Sequence, residues 1–150
     1  AIGVDVIVGF PTETEERFEN TFNFLSELPI SYLHVFTYSE RPGTFAVDEL
    51  DSMGGAPVPK HVRSERNRRL RLLSEKKKGA FYNRYLGMRR PVLWESAQAG
   101  GMMSGFTDNH IRVEKEFNEA ECGQIESVEL GRMNSKGIMS HTEMRSLPIL

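Results

Sequence analysis

The chain has 150 residues, 39% of them hydrophobic, and a formal net charge of −2. That is enough for one domain or two small ones, and the overall charge points to no particular partner. A single cysteine, Cys122, excludes an intramolecular disulfide and a cysteine-rich metal site and suits a reducing, cytoplasmic setting. No apolar run approaches the ~20 residues of a membrane helix. The opening Ala1-Ile2-Gly3-Val4 has no basic stretch or cleavage site, so it reads as no signal peptide, and it enters a strand at once, as a piece of a longer chain would.

Val4 to Phe10 is short, β-branched and apolar apart from Asp5, the texture of a buried parallel strand. Thr12 reads as a helix N-cap, with Glu15 completing a capping box and Glu13, Glu15 and Glu16 at the favourable end of the dipole. Phe18, Phe22, Leu25 and Leu28 follow at helical spacing until Pro29. A second apolar strand, Tyr32 to Tyr38, completes a βαβ unit with parallel strands. Gly9-Phe10-Pro11 and Ser39-Glu40-Arg41-Pro42-Gly43-Thr44 then lie at carboxyl ends of strands, where α/β sheets bind ligands. Ordinary βα turns are the competing reading. Two strands do not make a stable sheet, so residues 1–50 are expected to be the tail of a larger α/β domain whose other strands lie upstream.

Residues 45–59, with Met53-Gly54-Gly55-Ala56-Pro57, read as a loop. Lys60 to Leu86 reads as a long helix with a narrow apolar stripe of Val62, Leu70, Leu73, Phe81 and Tyr85. From Lys60 to Arg90 lie twelve of the nineteen Lys and Arg but two of the twenty-one acids, Glu65 and Glu75, a local excess of ten positive charges. Such a stripe suits phosphate contact, although charge runs are also ordinary solvated faces.

From Arg90 the texture changes to short alternating segments: Pro91–Glu95, Gly105–Thr107, Ile111–Glu114 and Ile125–Leu130. Ala99-Gly100-Gly101, Gly123, Gly131 and Gly137 supply turns. This predicts a small antiparallel barrel of about five strands, as in oligonucleotide-binding folds.

Three stretches carry a resemblance. Gly9-Phe10-Pro11-Thr12-Glu13-Thr14-Glu15 resembles the GFPGET stretch of the radical S-adenosylmethionine methylthiotransferases, and Tyr38-Ser39-Glu40-Arg41-Pro42-Gly43-Thr44 resembles their YSxRPGT stretch. Gly105-Phe106-Thr107-Asp108-Asn109-His110-Ile111-Arg112-Val113 is similar to the GYTxNYxxV segment of the appended TRAM domain, an RNA-binding β-barrel. The closest branch adds a methylthio group to N6-threonylcarbamoyladenosine beside the tRNA anticodon. The resemblance covers nearly the whole chain. It implies the end of a radical-enzyme β/α barrel over residues 1–56, a basic connecting helix over 57–88 and a TRAM-like barrel over 89–150. Departures are Thr12 where the family has glycine, for which the N-cap role offers a structural reason, and Phe106 and His110 where it has tyrosines.

For the full-length parent the resemblance implies S-adenosylmethionine and two 4Fe-4S clusters as cofactors. Clusters need cysteine thiolates and the family's CxxxCxxC motif is missing here, so this chain alone is expected to be inactive and to bind none of them. Gly9, Phe10, Pro11, Glu13 and Tyr38 are the implied S-adenosylmethionine neighbours. Asp5 is a weaker candidate, since a buried carboxylate needs a partner of its own. Lys76, Lys77, Arg84, Arg89 and Arg90, with Phe106, Asn109, His110 and Arg112 on the barrel, are the tRNA-binding candidates. Core packing is the competing role for Phe106, and Trp94 is assigned to the core. Partners are then tRNA, the missing N-terminal part of the same chain, and a second copy paired through the exposed edge of residues 4–10. Rival readings are an enzyme that modifies a ribosomal protein and a non-catalytic RNA-binding module.

Overall fold

The computed structural model describes residues 1–48, 56–98 and 100–142. By contacts it divides into two compact units, Ile2–Lys77 and Lys78–Leu150 with Ala1. Among the described residues no helix is long and apolar enough to cross a membrane. The loop expected at Met53-Gly54-Gly55 and the turn residue Ala99 lie outside the described residues.

In the first unit, strands β1 (Gly3–Val8) and β2 (Tyr32–Thr37) pair in parallel, Val4 opposite Leu33 and Ile7 opposite Phe36. Helix α1 (Glu15–Glu27) joins them, and a short turn of helix, α2 (Phe45–Asp48), follows β2. Val8, Phe18, Leu25 and Leu33 pack with Leu70 of the long helix α3 (Lys60–Asn83) in one buried cluster. Polar residues of α3 then serve the outer edge of β2. The Ser74 hydroxyl accepts from Leu33 N (2.8 Å) and donates to Leu33 O (2.9 Å), and Asn67 donates to Thr37 Oγ1 (3.1 Å). Satisfying edge groups this way removes the cost of unpaired strand backbone under a helix. On the sheet face away from this core, Ile7 and Phe36 are exposed.

The helix start differs from expectation. Thr14, not Thr12, is the N-cap of α1, its Oγ1 accepting from Arg17 N at 3.2 Å. Phe10 to Glu13 instead form a turn closed by Glu13 N to Phe10 O at 3.0 Å, with Thr12 in the left-handed region at φ 74°. The proline in the second position sets that turn, and its third position favours glycine. The reason offered above for the family's missing glycine is therefore overturned.

The second unit holds a closed five-stranded barrel: β3 (Arg89–Gln98), β4 (Met102–Thr107), β5 (Arg112–Glu116), β6 (Ile125–Met133) and β7 (Met139–Thr142), in the order β3-β4-β5-β7-β6. It is not wholly antiparallel, because β7 inserts between β5 and β6 and runs parallel to β5. Val92, Trp94, Met103, Ile111, Val113, Val128, Leu130 and Met139 fill it, with Tyr82 from the end of α3. Trp94 is fully buried, as its alternating position predicts. It fits because Gly105 faces it: a Cβ there would lie 2.4 Å from Leu93 O and 2.9 Å from the indole.

Candidate functional site

At the carboxyl end of β1, Gly9 has φ 78° and donates its N–H to Glu13 Oε2 at 2.7 Å. The same carboxylate oxygen accepts from Arg66 Nη1 at 2.7 Å, and Arg66 also reaches Glu13 O (3.0 Å) and Glu15 Oε2 (2.9 Å). Arg63 lies against Gly9 so closely that a Cβ would sit 2.4 Å from its Cγ. Its guanidinium donates to Val58 O and Tyr38 O, pairs with Glu40 and stacks over the Tyr38 ring at 5.7 Å. Phe10 meets Tyr38 edge to face at 5.3 Å and is itself 43% exposed, whereas Pro11 is buried. All five residues implied as cofactor neighbours thus lie at the adjacent carboxyl ends of β1 and β2, where Arg63 and Arg66 hold the turns. Glu13 precedes the helix and belongs to this hydrogen-bonded turn rather than to the first helical turn. Asp5 is exposed on the open sheet face opposite His34, so the burial expected of it is corrected.

Beside this turn a recess of about 600 Å³ is bordered by Thr12, Glu13, Arg17, Pro57, Val62 and Arg66. These residues do not complete a cofactor site. The open side of Gly9 is filled by Arg63, and the Glu13 carboxylate is engaged by Gly9 N and Arg66. Iron–sulfur ligation does not fit either, because one cysteine cannot hold a cluster. No group of three or more potential metal ligands occurs among the described residues.

Three arginines of α3 meet acids on other elements, which spacing within the helix does not reveal, and a fourth meets an acid one turn away. Arg63 pairs with Glu40, Arg66 with Glu13 and Glu15, Arg69 with Glu19 at 2.6 Å, and Arg68 with Glu65 at 2.6 Å. The Arg63 hydrogen bond holds the Glu40 carboxyl down to about 2, and the Arg69 hydrogen bond lowers Glu19. Among the RNA candidates here, Lys77 donates to Ser26 O (3.0 Å) and Leu28 O (2.8 Å) at the end of α1, whereas Lys76 is exposed.

On the barrel unit, Arg84 and Arg89 are exposed, and Arg89 Nη2 donates to Ser127 O at 2.7 Å. Arg90 lies over the Tyr85 ring at 4.8 Å and pairs with Asp108 at 3.3 Å. The tip after β4 is ordered by Thr107, whose hydroxyl donates to Asn109 Oδ1 and accepts from Ile111 N, while exposed His110 adopts φ 60°. Phe106 is 37% exposed, so it is not a core residue. It stands between Arg112 on β5 and Leu93 on β3, and Leu93 faces Ile125 on β6. Phe106, His110, Leu93 and Ile125 border a depression of about 360 Å³. Leu93 and Ile125 were missed by sequence reasoning. Alternation with Val92 and Trp94 places Leu93 outward, yet an outward leucine carries no chemical flag of its own.

No protein-family model matches the chain. Among curated proteins it is similar to the threonylcarbamoyladenosine tRNA methylthiotransferase MtaB of Aquifex aeolicus, 41% identical over 118 residues, which is 77% of this chain and 26% of that protein. The Bacillus subtilis MtaB is 37% identical over 134 residues, 87% of this chain and 29% of the relative. A tRNA-2-methylthio-N(6)-dimethylallyladenosine synthase of Oceanobacillus iheyensis is 34% identical over 128 residues, 84% of this chain and 24% of the relative. The chain thus spans about a quarter to a third of the length of the curated relatives it matches. It belongs to the MiaB-like methylthiotransferase family.

Proposed function

We propose that this chain is the C-terminal part of a cytoplasmic radical S-adenosylmethionine enzyme that adds a methylthio group to C2 of N6-threonylcarbamoyladenosine beside the tRNA anticodon. The observation that carries the substrate choice is the 41% identity to a protein named for that nucleoside across 77% of this chain. The organic chemistry belongs to S-adenosylmethionine and the two clusters of the full-length parent. What this chain does is positional. β1 and β2 supply an edge of the barrel wall, and the Gly9–Glu13 and Tyr38–Glu40 turns rim the cofactor cavity. Support comes from the open sheet face, since a two-stranded pair with Ile7 and Phe36 exposed suits cover by the rest of a barrel. Among the described residues no strand occupies the other edge of β1. In the isolated chain that edge pairs with a second copy, and sedimentation reads this directly.

The small barrel is the TRAM domain and grips tRNA. Its strand order, counting from β3, is 1-2-3-5-4 with closure back to the first, a five-stranded arrangement of the kind that binds oligonucleotides. Arg84, Arg89 and Arg90 contribute phosphate contacts, and Phe106, Asn109, His110 and Arg112 meet the nucleotides. Lys76 and Lys77 are the candidates on the other unit. Nucleoside analysis of tRNA tests the enzymatic reading. Cells lacking the full-length gene lose the 2-methylthio derivative and retain N6-threonylcarbamoyladenosine; an unchanged derivative contradicts the assignment. Loss of a methylthio group from a ribosomal protein instead would establish the rival substrate.

A further inference from the structure

The outer face of the barrel carries one row that runs straight across four strands. Arg112 on β5 is opposite Phe106 on β4, Phe106 is opposite Leu93 on β3, and Leu93 is opposite Ile125 on β6. Three neighbouring members are large, apolar and exposed: Phe106 at 37%, Leu93 at 47% and Ile125 at 71%. With Pro91 they floor the depression of about 360 Å³, while Glu95, Asp108 and His110 stand on its border. An apolar floor with a polar border is the usual makeup of a small-ligand site. All of these groups lie within a single unit of the chain.

We infer that this depression receives one unstacked nucleobase bearing an exocyclic amino group, laid on Phe106 and Leu93 with its amino-bearing edge toward the carboxylate of Glu95, on the side of the row away from Asp108. The inference rests on the RNA-binding reading above and deepens it. The occupant follows from complementarity. Carboxylates accept hydrogen bonds, and adenine, cytosine and guanine each present amino donors. Uracil has no amino group, and its exocyclic O4 is an acceptor that faces the Glu95 carboxylate unfavourably. The Glu95 carboxylate disfavours a phosphate beside it, whereas Asp108 is already paired with Arg90 at 3.3 Å. A guanidinium does adjoin the row, because Arg112 follows Phe106 directly, so the backbone of the nucleotide lies toward β5 while its base lies toward β3. The aromatic floor supplies stacking that any base can use, and the border supplies the choice among bases. Sequence motifs alone mark Phe106 and His110. Leu93, Ile125 and Glu95 become part of the site only through the strand register.

The test uses the whole 150-residue chain with fluorescently labelled hexanucleotides of A, C and U, and with intact tRNA, read by anisotropy. Oligo(A) and oligo(C) bind more tightly than oligo(U). Phe106→Ala weakens oligo(A) binding about tenfold to a hundredfold, the worth of one base–aromatic stack. Leu93→Ser/Ile125→Ser does likewise, and Glu95→Gln narrows the A-over-U preference. These outward substitutions leave the melting temperature and Trp94 fluorescence near those of the parent, which separates loss of contact from loss of fold. The salt dependence of tRNA binding keeps its slope, because no phosphate contact is removed. Unchanged affinity in Phe106→Ala and in the double variant, or equal binding of all three oligonucleotides, overturns the inference while tRNA binding by the parent chain leaves the RNA reading standing. Concentration-dependent self-association abolished by Leu93→Ser/Ile125→Ser also overturns it, by making the row a contact between copies. No tRNA binding by the parent chain defeats both.

Discussion

Replacing Thr12 by glycine should stabilise the βα turn relative to replacing it by alanine, the reverse of what these residues do in regular structure. Thr12 has φ 74° in the third position of the Phe10–Glu13 turn. An L side chain in that region costs roughly 1–2 kcal/mol, and a β-branched one is a genuine outlier. Glycine removes the strain but gives back about 0.4–1 kcal/mol through the greater freedom of the unfolded chain. Both variants lose the Thr12 hydroxyl contact with Arg17 Nη1 at 3.2 Å, and both keep the backbone contact from the same guanidinium at 2.8 Å. The difference between them is therefore about 0.5–1 kcal/mol in favour of Thr12→Gly, a rise of about 1–4 °C in melting temperature for a chain of this size. Thr21, inside α1, is the control: there glycine should be worse than alanine by about 1 kcal/mol. Thermal melts followed by circular dichroism give all four values. If Thr12→Gly is no more stable than Thr12→Ala, the left-handed turn is not what holds this strand end.

Gly9→Ala combines a positive φ with a Cβ 2.4 Å from Arg63 Cγ, so it should cost about 2 kcal/mol or more, and adding Arg63→Ala should recover part of the local loss by giving the methyl room, as a double-mutant cycle in urea shows. Arg66→Met leaves the Glu13 carboxylate without its guanidinium; with Arg66 only 5% exposed, a cost of about 3 kcal/mol is expected. Arg66→Lys should recover little of it, because one ammonium cannot reproduce the fork that reaches both Glu13 and Glu15. In the barrel, the Lys115 hydrogen bond, opposed by burial and aided by Trp94 Nε1, lowers the Glu126 pKa. A carboxyl lowered on folding adds stability above its unfolded value near 4.5 and loses it as pH falls through its folded one. Melts between pH 6 and pH 3 should therefore fall more steeply for the parent than for Glu126→Gln.

Much of the architecture is legible because the patterning is local. Val4–Phe10 and Tyr32–Tyr38 read as parallel strands from their apolar runs, near the observed Gly3–Val8 and Tyr32–Thr37, and Trp94 reads as interior from alternation. The N-cap was misplaced because Thr12 and Thr14 both precede glutamates; only the Pro11 turn, which uses two further residues, decides between them. The fifth barrel strand, Met139–Thr142, is four residues long and lacks its own signal, and its parallel pairing with β5 is a tertiary choice. Arginines of α3 looked like a surface for phosphate because sequence spacing compares a residue with its helical neighbours. Arg63, Arg66 and Arg69 find their acids 23 to 53 residues away. The row through Phe106, Leu93 and Ile125 escaped notice for the same reason, since only register aligns three strands.

Direct titration of the chain with tRNA and with a purified ribosomal protein, repeated from low to moderate salt, is the most immediate test of the role proposed for it as the nucleic-acid grip of a modifying enzyme. Saturable tRNA binding that weakens linearly in log salt, with a shallower slope after Arg84→Ala/Arg89→Ala, is the predicted result. Binding to the ribosomal protein with none to tRNA would contradict it.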